Sequence, residues 1–404
     1  MKRRELLGTA AVLSTATAGC LRLTDSGGAA PATGTDSTGT ERSDDDADVS
    51  TAPPSTDAGS DGQDDAVSDA PGGRLLAFDR DGGDSRWQFE TPNDGQHRHT
   101  DFIATTADTV FVGTDDDGSG DEQDPLVFAL DAETGESRYR IDDLPATFIK
   151  GLFVRDGTLY VATVGGTLFA YAAADGTRET TFSIPFGFGP PTVVDGEVYV
   201  PGEETVALNL SSGSARWRTT LPSNAVAPPV VTDDTVYAAT RAGHVVALAR
   251  DSGDTRWQKR AATQVETIAA GPTALWASDG GGTVYAYARS DGTELYRQRS
   301  NEGDDRSLAV VDDLLFLGRP TVEINRIEGR SGDSMELTEV WSSDDTISEV
   351  WPREGAFYGG FSEIRGYGPD GPLDPVFGPV PDDYWAQSFG LSDSLALVGT
   401  RADD

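Results

Sequence analysis

Val245-Val246-Ala247-Leu248-Ala249-Arg250-Asp251-Ser252-Gly253-Asp254-Thr255-Arg256-Trp257 is the stretch that decides the fold. Glycine follows the first alanine, Ala247, by six residues, and tryptophan follows it by ten. The same spacing recurs as Ala77, Gly83, Trp87; Ala129, Gly135, Tyr139; Ala170, Gly176, Thr180; Ala207, Gly213, Trp217; and Ala286, Gly292, Tyr296. Fixed spacing through six copies marks an internal repeat. A glycine at a constant place between apolar runs predicts a turn with positive φ. The terminal Trp or Tyr is expected to fill the wedge between neighbouring units.

A second element lies between these copies. It is a short alternating segment closed by Asp-Gly or Asp-Asp, then a β-branched and aromatic run, as in Val193-Val194-Asp195-Gly196-Glu197-Val198-Tyr199-Val200. Its large apolar position recurs at Phe111, Tyr160, Tyr199, Tyr237, Trp276, Phe316, Tyr358 and Leu397, in steps of 38 to 49 residues. A period near forty with four strand-like runs per unit predicts a β-propeller. In the type unit the runs are Ala227 to Thr232, Thr235 to Thr240, His244 to Arg250 and Thr255 to Arg260, separated by Gly, Asp and Ser.

The repeat region opens on a third and a fourth strand, near Arg74 to Asp79 and Ser85 to Glu90. It finishes on a first and a second, near Trp385 to Leu391 and Ser394 to Thr400. Together they would make one blade and close the ring, which removes open sheet edges. The expectation is an all-β, eight-bladed β-propeller of four-stranded blades over residues 73–404. The units around Glu323 to Trp341 and Glu363 to Phe377 are degenerate, and the count of eight depends on both being blades. An insertion near Asp115 to Pro125 accounts for the longest step.

The Ala-x5-Gly-x3-Trp element resembles the tryptophan-docking repeat of the pyrroloquinoline quinone-like propeller family. Leu76 to Trp87, Phe128 to Tyr139 and Val246 to Trp257 match it best. The resemblance implies the fold more than the activity, because one scaffold hosts unrelated functions. One branch of the family contains quinoprotein alcohol dehydrogenases, which use a vicinal cysteine pair and a Ca²⁺ site. The other contains non-catalytic lipoproteins, similar to the propeller subunit of the bacterial outer-membrane assembly machine. With Cys20 as its single cysteine, the chain cannot supply a vicinal pair, so we expect no bound quinone and no enzyme activity.

Acidic residues number 68 against 31 basic ones, for a formal net charge of −37. Three lysines, Lys2, Lys150 and Lys259, leave nearly all positive charge to arginine. Such a charge repels nucleic acid and anionic lipid. It also strains the compact state unless salt screens it, the Debye length falling to ~3 Å at 1 M. The composition resembles that of halophilic archaeal proteins.

The opening, MKRRELLGTAAVLSTATAGC, places Lys2-Arg3-Arg4 before an apolar stretch from Leu6 to Ala18 and ends on Ala18-Gly19-Cys20. That order reads as an export signal over residues 1–19, of twin-arginine type, with a lipobox that lipidates Cys20. Residues 20–72 are poor in apolar residues and read as a disordered acidic Ser/Thr-rich tether. The expected address is the outer face of the cell membrane, held by the lipid. We expect a monomer with an unknown surface protein or glycan as partner.

Propellers bind where their innermost strands begin. Ten residues before each repeat aromatic stand Asp101, Lys150, Gly189, Ala227, Glu266, Arg306, Ser348 and Gln387. Lys150, Glu266, Arg306 and Gln387, with Asp101 at the same register, are the candidates for a polar funnel that recognises a peptide or glycan. The competing reading is a water-filled channel whose charges satisfy one another. Rival functions are a quinone- or metal-dependent dehydrogenase and a glycan-processing enzyme with Glu266 and Asp101 as its carboxylate pair. His97 and His99 could share a strand face, but nothing nearby completes a zinc set. Asp115 to Glu122 fails the spacing of a Ca²⁺ loop. Asn209-Leu210-Ser211 is a glycosylation sequon placed inside a strand. No catalytic or metal-binding residue is expected.

Overall fold

The computed structural model describes residues 72–402, apart from 93–97, 117–124, 146–147, 188, 300–306, 319–321, 332–333, 344–348, 354–355, 361 and 369. Cys20 and the segments read from the sequence as an export signal and a tether lie outside the described residues. Among those described there is no helix, and every strand belongs to one of eight four-stranded antiparallel sheets. In chain order, blades 1 to 7 span residues 98–141, 149–183, 192–220, 230–260, 265–299, 307–343 and 349–377. Blade 8 pairs the two ends of the region. Arg74–Asp79 lies between Ser85–Glu90 and Leu395–Ala402, and Tyr384–Leu391 completes the sheet. The degenerate units are therefore full blades, and the protein is an eight-bladed β-propeller.

One transverse row explains the repeat. The aromatic of the second strand stands opposite the alanine of the third, which stands opposite the Trp or Tyr of the fourth. In blade 4 the row is Tyr237, Ala247, Trp257. The small central side chain lets the two rings meet over it, with centroids 5.8 Å apart. Tyr199 and Trp217 do the same over Ala207, at 6.1 Å.

The fourth-strand ring then docks on the next blade. Trp217 of blade 3 packs on the Gly253 turn of blade 4, where a Cβ would stand 2.7 Å from the indole. Its Nε1 donates to Arg250 O at 2.8 Å. Gly253 has φ of 75°, and the other five repeat glycines lie between 67° and 74°. Glycine is thus required twice at this position, for the left-handed backbone and for the close approach. Trp87, Tyr139 and Trp257 likewise donate to carbonyls of the following blade, Ala132, Ala173 and Arg289. Blade 2 departs from the expected pattern. Thr180 holds the docking register, but Phe182 supplies the ring that lies against Gly213.

The first strand of the type unit is shorter than expected. It covers Val230–Val231 alone, with an isolated bridge from Ala225 to Thr240. Pro228 and Pro229 lack the N–H groups that a longer ladder needs. Pro190 and Pro191 precede the similarly short Thr192–Val194 of blade 3, three residues against two. The other three strands of the type unit run Thr235–Ala239, His244–Ala249 and Thr255–Arg260, close to the expected limits.

The seam is locked by a buried hydroxyl network. Thr100 Oγ1 of blade 1 donates toward Arg74 O and Thr400 O at 2.8 and 3.0 Å, and Ser388 Oγ donates to Thr100 O at 2.7 Å. Thr400 N returns a bond to Thr100 Oγ1 at 2.6 Å. Both ends of the propeller meet in this cluster.

Candidate functional site

The first strands of neighbouring blades contact one another at every junction but that of blades 2 and 3, and so surround the ring axis. In four of them the ladder slips by one residue. The unpaired residue is Asp101 in blade 1, between Thr100 and Phe102, and Lys150 in blade 2, between Ile149 and Gly151. It is Glu266 in blade 5, between Val265 and Thr267, and Gln387 in blade 8, between Ala386 and Ser388. A β-bulge leaves its extra residue out of the ladder and re-aims its side chain. The register chosen from the sequence therefore coincides with a bulge in each of these four blades.

Their burial differs. Lys150 is 2% exposed and Asp101 6%, while Glu266 and Gln387 are half-buried. Lys150 Nζ donates to Pro185 O at 3.1 Å, in the connection from blade 2 to blade 3. Burial without a facing carboxylate pulls the amine down from its ordinary value to about 7. Asp101 is pushed up to about 7, with burial the largest cause; the nearby Arg401 guanidinium and a hydrogen bond from Gln387 oppose it only in part. Asp101 Oδ1 is buried with no hydrogen-bond partner. The site thus holds a carboxyl and an amine that each change charge near neutral pH.

Asp101 and Gln387 are brought together across the seam between blades 1 and 8. Lys150 stands apart from them, on the bulge of blade 2. Gly189 and Ala227, at the same register, are buried. Arg306 and Ser348 lie outside the described residues. So does His97; His99 is buried, and no metal-holding group of His, Cys, Asp and Glu occurs among the described residues. Asp115 and Asp116 are the last residues of the strand Thr109–Asp116, and residues 117–124 of the insertion lie outside the described residues. Asn209 is exposed, and its Oδ1 accepts from the Ser212 backbone N–H at 2.9 Å.

A family model described as outer membrane protein assembly factor BamB matches residues 71–181 and 179–280. The chain belongs to that family. A comparison with curated protein sequences gave no match. Among solved structures, the propeller is similar to BamB from Moraxella catarrhalis, at 16% identity and a TM-score of 0.53, covering 80% of this chain and 90% of that one. It is also similar to the computationally designed protein Ika8, at 13% identity and a TM-score of 0.58, covering 76% and 96%. A quinohemoprotein alcohol dehydrogenase from Pseudomonas putida HK5 aligns at 12% identity and a TM-score of 0.47, covering 82% and 76%. At these identities the likeness to BamB and Ika8 is one of fold.

Two residues at this end of the ring escaped the register argument. Arg401 sits at the end of a second strand, where its guanidinium lies 5.7 Å from the Trp385 ring centroid. Its signal was available four residues beyond the repeat position Leu397. Phe186 follows Pro185 in the blade 2 to blade 3 connection and is 64% exposed. A Phe among prolines and glycines outside the repeat carries no period-forty signal, so only its exposure reveals it.

Proposed function

We propose that this BamB-family chain is a non-catalytic binding scaffold, exported, lipidated at Cys20 and held at the outer face of the cell membrane. Its partner is a surface protein or glycan, taken at the end of the ring where the first strands begin. The observation that carries this reading is the set of bulges aiming Asp101, Lys150, Glu266 and Gln387 out of their ladders, with Phe186 exposed beside the Lys150 lid. An exposed aromatic ringed by polar groups is the kind of surface that protein recognition uses. Support for the address comes from the Arg3-Arg4 signal and the Ala18-Gly19-Cys20 lipobox. The acidic surplus suits a concentrated-salt milieu. Support for a role without catalysis comes from the single cysteine, which excludes the vicinal pair of quinoprotein dehydrogenases.

The test is a retention measurement. The purified chain is loaded with pyrroloquinoline quinone and Ca²⁺ in 2 M KCl, dialysed, and then read by absorbance, metal analysis and dye-linked alcohol oxidation. A protein-only spectrum with no dye reduction is expected. Stoichiometric quinone and metal, with turnover, would overturn the scaffold reading in favour of a dehydrogenase.

A further inference from the structure

Asn209-Leu210-Ser211 is the one Asn-x-Ser/Thr triplet in the sequence. It lies at the end of a strand, not inside one. Asn209 is the last residue of Glu204–Asn209, the third strand of blade 3, and Leu210 and Ser211 begin the turn to Ala215–Thr220. Leu210 is 5% exposed, and its N–H donates to Gly196 O at 3.0 Å, so it pins the turn. Asn209 and Ser211, on either side of it, are exposed. Successive strands of the blade are antiparallel, so this turn stands at the end of the ring opposite to the one where the first strands begin.

The repeat explains how the Asn209 side chain is held. Two residues after the repeat alanine, blades 8 and 1 carry Asp79 and Asp131. One oxygen of each accepts backbone N–H groups of the turn, at 2.8 to 3.1 Å. The other faces the arginine before the docking aromatic, Arg86 at 3.9 Å and Arg138 at 2.8 Å. Blade 3 keeps the first half of this arrangement and drops the second. Asn209 Oδ1 accepts from Ser212 N and Ser212 Oγ at 2.9 and 3.1 Å. The backbone donor fixes which end of the amide is the oxygen. Nδ2 is left where the aspartates offer an oxygen to arginine, and two donors cannot pair. Arg216 turns instead to Glu197 and Asp251, at 2.9 Å each. Neither Asn209 Nδ2 nor Ser211 Oγ has a hydrogen-bond partner among the described residues. The turn therefore frees both the amide nitrogen and the hydroxyl of the triplet, in the surface setting that an acceptor sequon requires.

We propose that Asn209 is an N-glycosylation site, the acceptor of an oligosaccharide carried on a polyprenyl phosphate or diphosphate. Nδ2 forms a bond to the anomeric carbon of the sugar. The bond from that carbon to the phosphate oxygen breaks, the lipid-linked phosphate keeps the bonding pair, and the amide gives up one proton. Ser211 Oγ is the hydroxyl by which the transferase recognises the triplet. The glycan stands at the far end of the ring from Phe186 and Gln387 and leaves that end uncovered. The proposal rests on the export reading, since the sugar is added to the exported chain.

The test recovers the chain from the cells that make it, while protease added to a parallel sample of intact cells shows whether the chain is at the surface. Trypsin releases Glu179 to Arg216 as one peptide, which is weighed and fragmented by mass spectrometry. An oligosaccharide mass on Asn209 is expected in most copies. Asn209→Asp keeps the turn cap that Asp79 and Asp131 make, and should abolish the added mass. Ser211→Ala should abolish it too, while Ser211→Thr should retain it. Far-UV circular dichroism confirms that each variant is folded. An unmodified peptide from a surface-exposed chain would overturn this proposal alone, as would a mass on another residue or one that survives Ser211→Ala. A chain that protease reaches only after lysis would overturn the export reading together with this one.

Discussion

Asp101 and Lys150 are moved in opposite directions by the same cause. Asp101 holds its proton more tightly in the folded chain, up to about 7 from 3.8. Its contribution to stability is full below pH 4 and is lost as pH rises toward 7. Lys150 holds its proton less tightly, down to about 7 from 10.5. Its contribution is full above pH 10.5 and is lost as pH falls toward 7. The two together place a local minimum of stability near neutrality. Denaturant titrations should find Lys150→Met more stable than the parent at pH 7 by about 2–4 kcal/mol, since a pKa unit corresponds to about 1.4 kcal/mol. That gain should vanish near pH 10.5, while Asp101→Asn should flatten the decline between pH 4 and 7. A Lys150→Met chain no more stable at pH 7 would show that the amine is solvated. The sequence located both residues through register alone. It could not show their burial, because the lid over Lys150 is Pro185, which lies 35 positions along the chain.

Spacing was enough to read the elements. Arg74–Asp79, Ser85–Glu90 and Thr255–Arg260 match the expected strands residue for residue. The repeat is strict there because one row of side chains must satisfy its own blade and the next. Legibility fails where that coupling is replaced. Proline pairs shorten the first strands of blades 3 and 4, and blade 6 substitutes a long hairpin for the glycine turn. The docking row also sets the energetic unit. Trp217→Ala removes a ring 7% exposed and should cost ~3–5 kcal/mol in chemical unfolding. Trp217→Phe keeps most of the contact with Gly253 but loses the bond to Arg250 O, and should cost about 1 kcal/mol. Equal losses for both would mean that the hydrogen bond, not the packing, joins blades 3 and 4.

Residues 72–402 form a closed ring, within a chain whose full sequence carries a formal charge of −37. Closure depends on contacts between residues some 300 positions apart, Thr100 with Thr400 among them. Self-repulsion of the charged surface should make stability depend on screening, so the melting temperature should rise steeply from 0.1 to 2 M KCl. A melt unchanged across that range would remove the argument for a salt-adapted surface. The eight-fold closure was visible in the sequence as complementary half-blades. The proposed binding role was not, because the repeat leaves the side chains at the start of the first strands free to vary.

On the proposed function, a partner is taken at the end of the ring where Phe186 and Gln387 lie. This is tested most directly by placing a photo-reactive benzoylphenylalanine at Phe186, at Gln387, or at Glu133 on the blade 1 turn, in cells carrying the chain with Cys20 intact. One discrete adduct, shared by Phe186 and Gln387 and absent from Glu133, is expected in the membrane fraction. No adduct at the first two positions, or the same adducts from all three, would contradict it.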